Sequence, residues 1–132
     1  MHEQAEQWPL GRLLSAAARA VERDWDERLR AIGLTHAALI AIDILIRTGP
    51  TGADTLARTA HVRPQTMSLT LERAERDGLV ERSPHPDDRR RRVVSVTDAG
   101  RAAWDTARHI EREVLPDDDV LRERLTGILS SH

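Results

Sequence analysis

The chain has 132 residues, a formal net charge of −2 and no cysteine. That length fits one compact domain, and the missing thiols exclude disulfides, zinc–cysteine sites and thiol redox sensing. The polar, acidic opening Met1 to Gln7 is no signal peptide and no apolar run approaches the ~20 residues of a membrane span, so a cytoplasmic protein without a membrane partner is expected.

Charge is unevenly spread. Between Leu56 and Arg92 there are nine Arg against six acids, while the remainder carries eleven Arg against sixteen acids. A basic surplus confined to one segment is what a local nucleic-acid footprint requires.

From Pro9 to Ile32 the apolar residues Leu10, Leu13, Leu14, Ala17, Val21, Trp25, Leu29 and Ile32 recur at helical steps. Pro9 suits the first helical position, and Gly33 stops the helix. Thr35 is a good N-cap for a second helix over His36 to Arg47, with Leu34 and Leu39 placed to form a hydrophobic staple. The run Leu39 to Ile46 is apolar nearly all round. A strand competes for it, but the cap favours a buried central helix.

Thr51-Gly52-Ala53-Asp54 has a capping pattern, which predicts a short helix over Ala53 to Ala60 begun by Thr51. After the tight connection His61-Val62-Arg63, Pro64 opens a helix running to about Asp77, and Gly78 supplies the left-handed residue at its end. Two short helices so joined form a helix-turn-helix. Leu79 to Arg82 and Val93 to Val96 read as two strands, and the charged, proline-containing segment Ser83 to Arg92 as the hairpin loop between them. Such a hairpin directly after a helix-turn-helix is a wing. Thr97 caps the next helix, Asp98 to about Leu115; Pro116 breaks it, and a last helix covers about Asp118 to Leu129. The predicted fold class is therefore mainly α with a small β-hairpin wing.

Two motifs carry a resemblance to a known family. One is Arg63-Pro64-Gln65-Thr66-Met67-Ser68 through Glu75-Arg76-Asp77-Gly78-Leu79-Val80-Glu81-Arg82. The other is Asp88-Arg89-Arg90, then six residues and Thr97, followed by Asp98-Ala99-Gly100. In this order they resemble the recognition helix and wing of the MarR family of bacterial regulators. The resemblance covers nearly the whole chain. It implies one winged helix-turn-helix domain over 1–132, with residues 9–33 and 98–131 as dimerisation helices and 35–97 as the DNA-binding lobe. It also implies an obligate homodimer acting on double-stranded DNA, and Arg90 as the residue that enters the minor groove.

Periodicity turns Met67, Leu71 and Ala74 inward and sets Thr70 near the boundary. Gln65, Thr66, Ser68, Leu69 and Arg73 then point outward, with Arg63 just before the helix. Gln suits adenine, and Thr or Ser can bond bases or phosphates. Leu69 departs from the family, which often has a basic residue there; it could contact a thymine methyl or pack on a neighbour. Thr70 stands where an aliphatic residue is expected. On the wing, Arg89 and Arg91 are candidate phosphate binders beside Arg90, and Asp88 is expected to hold a basic side chain in position. An Arg run is most often a solvated face; its place after a helix-turn-helix reverses that reading here.

His2, His36, His61, His85, His109 and His132 lack close ligand spacing, so no metal or cofactor is expected. His109-Ile110-Glu111 lacks the Pro-Cys-x-x-Cys half of a zinc deaminase. No phosphate loop, nucleophile elbow or assembled triad appears, so the chain is not expected to be an enzyme. Trp25 and Trp104 read first as packing residues. The family analogy alternatively places a small aromatic or phenolic effector near Trp25, His36, Trp104 and Arg108. The competing function is a winged-helix protein-interaction module without DNA binding, suggested by the overall negative charge and Leu69.

Overall fold

Six helices and one two-stranded antiparallel hairpin make up the computed structural model, which describes residues 4–132. The first three positions, with His2 among them, lie outside the described residues. A short 3-10 turn, Ala5–Gln7, leads into α1 (Leu10–Ala31). Pro9 sits one place before the expected position: it is the N-cap, with an extended backbone, and its carbonyl accepts from the Leu13 N–H at 3.0 Å.

Helix α2 (His36–Thr48) forms the centre of the molecule, begun by Thr35, whose Oγ1 accepts from the Ala38 N–H at 3.1 Å. Ala38, Leu39, Ala41, Ile42 and Leu45 are all buried. A helix covered on most sides needs no polar face, which explains the nearly uniform apolar run. Helices α3 (Ala53–Ala60) and α4 (Pro64–Arg76) form the helix-turn-helix, with His61 in the left-handed region between them.

Thr51 does not cap α3. Gly52 holds the cap position, and the Thr51 hydroxyl instead donates to the Gly49 carbonyl at 2.7 Å. The Thr51 backbone exchanges two hydrogen bonds with Val94, at 3.0 and 2.8 Å. This bridge ties the start of the helix-turn-helix to the wing sheet.

Strands β1 (Val80–Pro84) and β2 (Arg92–Val96) pair with Val80 opposite Val96 and Pro84 opposite Arg92. They reach further into the charged segment than expected. Ser83, Pro84 and Arg92 are paired, and the loop shrinks to 85–91. Helix α5 (Asp98–Val114) follows, and α6 (Asp119–Ser130) is begun by the Asp118 carboxylate, which accepts from the Leu121 N–H at 3.0 Å.

One core joins these pieces. Leu29 of α1, Ile42 and Leu45 of α2, Leu56 of α3, Leu71 of α4 and Val94 of β2 are its largest fully buried side chains. Ala107 brings α5 into the same cluster, whereas α6 buries no residue. The turn after α4 is held from two sides. Gly78 takes a positive φ of 76°, and its carbonyl accepts from the Thr97 hydroxyl at 2.6 Å. The same Thr97 oxygen accepts from the Gly100 N–H at 3.0 Å and so caps α5. Recognition helix, wing and α5 are thus locked at one joint.

Candidate nucleic-acid interface

Helix α4 presents its outer face because its inner face is consumed by the core: Met67, Leu71 and Ala74 are buried. Thr70 is half-buried, and its hydroxyl donates to the Thr66 carbonyl at 3.0 Å. That internal bond satisfies the hydroxyl, which explains how a polar residue sits where an aliphatic one is expected.

Arg63, Gln65, Thr66, Ser68, Leu69 and Arg73 are all exposed. Gln65, Leu69 and Arg73 follow one another at four-residue steps on the side of α4 away from the core. Arg73 also borders a small hollow shared with Asp26, Arg30, Thr35 and His36, beside the α1–α2 junction. Two residues belong on the outer line that the sequence reading left out: Glu72 and Arg76, both exposed. Steps of three and seven from Leu69 would have found them. No side chain caps the first turn of α4, so its free N–H groups face solvent beside Gln65 and Thr66, where an anion is favoured.

The wing tip is shaped by main-chain bonds. The Asp88 carboxylate accepts from the Arg90 N–H at 3.1 Å, and the Asp88 carbonyl from the Arg91 N–H at 3.0 Å. Asp88 therefore holds the backbone of the turn and not, as expected, a basic side chain; a carboxylate two residues before an N–H closes a local turn more readily than it reaches a long guanidinium. His85, the first residue of the loop, supports the turn, donating its N–H to the Arg91 carbonyl at 2.8 Å and accepting the Asp87 N–H on Nδ1 at 3.0 Å. Arg92 is directed back across the hairpin to the Arg82 carbonyl at 3.4 Å. Arg89, Arg90 and Arg91 are exposed, and none makes an ion pair among the described residues. Their charge is free for a phosphate or a narrow groove.

Residues of α1, α2, α3 and α5, with Asp117 and Arg122 at the start of α6, line an open cleft of about 710 Å³. Trp25, Trp104 and Arg108 line it, but His36 does not. His36 opens α2 and packs edge-on against Trp25, ring centroids 4.7 Å apart, so its ring is spent as a neighbour of the wall. Trp104 donates Nε1–H to Asp43 at 3.1 Å, and the Arg108 guanidinium lies 4.7 Å over the Trp104 ring. Trp25 Nε1 is buried without a hydrogen-bond partner. Asp43 and Glu111 complete the polar wall; an acid inside the apolar run of α2 was the signal for Asp43. The Glu111 pKa is raised, first by burial and then by the charge of Asp43, against the opposing pull of Arg108, His36 and Arg112. Among the described residues no group of His, Asp or Glu gathers in a way that could hold a metal ion, and no single helix is long and apolar enough to cross a membrane.

This arrangement recurs in known proteins. The MarR family model matches residues 34–91. The chain is 30% identical to an HTH-type transcriptional repressor of Mycobacterium tuberculosis over 93% of its own length and 86% of the relative's. Its fold is similar to that of a mutant MarR from E. coli complexed with operator DNA, with a TM-score of 0.74, 23% identity and coverage of 94% and 96% of the two chains. It is likewise similar to CouR from Rhodococcus jostii RHA1 bound to p-coumaroyl-CoA, with a TM-score of 0.77, 22% identity and coverage of 92% and 90%. By fold, family match and relatives together, the chain belongs to the MarR family: it is a DNA-binding transcriptional regulator and not an enzyme.

Proposed function

We propose that this regulator works in the cytoplasm as a homodimeric repressor on a pseudo-palindromic operator, with α4 in the major groove and the 85–91 wing tip in the minor groove. The observation that carries the reading is the wing, where three exposed Arg without acidic partners stand on a turn built by Asp88. Residues 35–97 are the DNA-binding lobe, and 9–33 with 98–131 the dimerisation helices. Arg90 enters the minor groove, Arg63, Arg89 and Arg91 hold phosphates, and Gln65, Thr66 and Ser68 face base edges or the adjoining backbone. Arg73, one turn after Leu69 and beside the α1–α2 junction, is a further DNA contact at the edge of this face. A fold relative was solved in complex with operator DNA, which supports duplex DNA as the partner.

The dimer is supported by apolar side chains left uncovered on the terminal helices: Leu10 on α1 is 77% exposed and Leu129 on α6 78%. A second copy would cover them, and a closed two-fold pair would set its recognition helices about one DNA turn, roughly 34 Å, apart. The cleft joins α1 and α5 to the DNA lobe. A small aromatic or phenolic ligand between Trp25, Trp104 and Arg108 would alter the angle between them, with His36 backing the Trp25 wall. CouR, a fold relative, was solved with p-coumaroyl-CoA bound.

The test is a fluorescence-anisotropy titration against the DNA flanking the protein's own gene, at two salt concentrations, beside an unrelated duplex. Tight, salt-sensitive and sequence-preferring binding is expected. Arg90→Ala weakens binding to every sequence and lowers the salt slope by about one unit. Failure to bind either duplex at low salt would instead support a protein-interaction module on the same surface.

A further inference from the structure

Leu69 is 64% exposed on the outer face of α4. The more exposed large apolar residues among those described, Leu10 and Leu129, sit on the terminal helices. Leu69 instead stands in the middle of the recognition helix, one turn after Gln65, one before Glu72 and two before Arg76. The first two turns of that outer face, Gln65 and Leu69, carry no cation; Arg73 follows one turn later, at the hollow beside α1 and α2. The usual bidentate contact of Arg to guanine therefore has no donor in the first two turns of that face. Glu72 adds a second constraint. Its carboxylate is repelled by phosphates and is tolerated only over a base that offers an amino group. The central reading surface is one apolar group flanked by an amide and an acid.

We propose that Leu69 is a specificity-determining residue that reads the C5-methyl group of a thymine in each operator half-site. This rests on the DNA-binding reading above. The thymine methyl is the one apolar group that a base pair displays in the major groove, so it is the feature on DNA that an exposed leucine side chain recognises. Gln65, one turn earlier, faces the adjoining pair and favours adenine. The half-site core contacted by α4 is accordingly rich in A·T pairs, and Arg76 at the helix end reaches the backbone.

The experiment begins with selection of duplexes from a random library by the full-length protein. Each thymine of the selected half-site is then replaced by uracil, which removes only the methyl group. At one position per half-site, this substitution weakens binding about fourfold, the value of one buried methyl group. Leu69→Ala binds the thymine and uracil duplexes equally at that position. Leu69 is exposed, so the variant keeps the parent's thermal melt, and its Arg90-dependent salt sensitivity is unchanged. Selected half-sites without a sensitive thymine, or undiminished discrimination by Leu69→Ala, overturn the assignment while leaving DNA binding intact. Absence of any duplex binding by the parent overturns the DNA-binding reading and this one with it.

Discussion

Gly100 has no room for a side chain. A Cβ built there would lie 2.2 Å from the Leu79 carbonyl oxygen and 2.7 Å from a Val96 methyl group. Backbone cannot give way as a flexible side chain does, so Gly100→Ala is expected to cost at least about 2 kcal/mol, read as a lowered midpoint in urea. An unchanged midpoint would show that the joint between wing and α5 tolerates a shift. The family motif flags this glycine in the sequence, but only the fold shows that its neighbour is the turn after α4. Glu111 is the opposite case, because nothing in its local sequence marks it. It charges less readily than an ordinary glutamate because it is partly buried and feels the charge of Asp43, an effect that Arg108, His36 and Arg112 offset only in part. A raised folded-state pKa means that the native state holds its proton more tightly. Stability is then lost as pH rises above the ordinary value of 4.5, and is unaffected well below it. Glu111→Gln is therefore expected to melt higher than the parent at neutral pH, with the gap closing in acid. A gap independent of pH would remove the carboxyl charge as its cause.

At the scale of elements, caps decide where helices begin and joints decide how they are held. Thr35, Thr97 and Asp118 each accept a backbone N–H three residues on, and all three starts are legible in the sequence because the capping residue precedes an apolar period. Thr51 has the same local pattern yet serves the sheet, since the Val94 backbone competes for it from a distant part of the chain. Thr97 does more than a cap, since its hydroxyl also holds the Gly78 carbonyl. Thr97→Ala should lose about 1–2 kcal/mol of stability in denaturant melts. A loss confined to a few tenths would mean that the hydroxyl bond to Gly78 contributes nothing. The wing carries a similar lesson. Its strands were recognisable from Val93 to Val96, but their extension through Ser83, Pro84 and Arg92 depends on cross-strand pairing, which local composition does not report.

For the whole molecule, the distribution of apolar surface matters most. The core is continuous from α1 to β2, while α6 buries nothing and its Val120 and Ile128 remain exposed with Leu129. Under the proposed dimer, Leu10→Glu combined with Leu129→Glu should yield a folded monomer by light scattering that loses tight operator binding. Both side chains already face solvent in the single chain, so the lobe keeps its own core. A double variant that remains dimeric would move the interface elsewhere.

Local sequence by itself determined the order of elements, the helix-turn-helix, the existence of the wing and the inward residues of α4. Each of these follows from short-range physics: period, capping, turn chemistry and charge runs. Tertiary structure decided what depends on distant neighbours. It moved His36 out of the cleft wall and brought Asp43 and Glu111 into it. The physical reason is common to all of them. A side chain's period sets the face it occupies, but the partner that face meets is fixed only when elements far apart in sequence pack together.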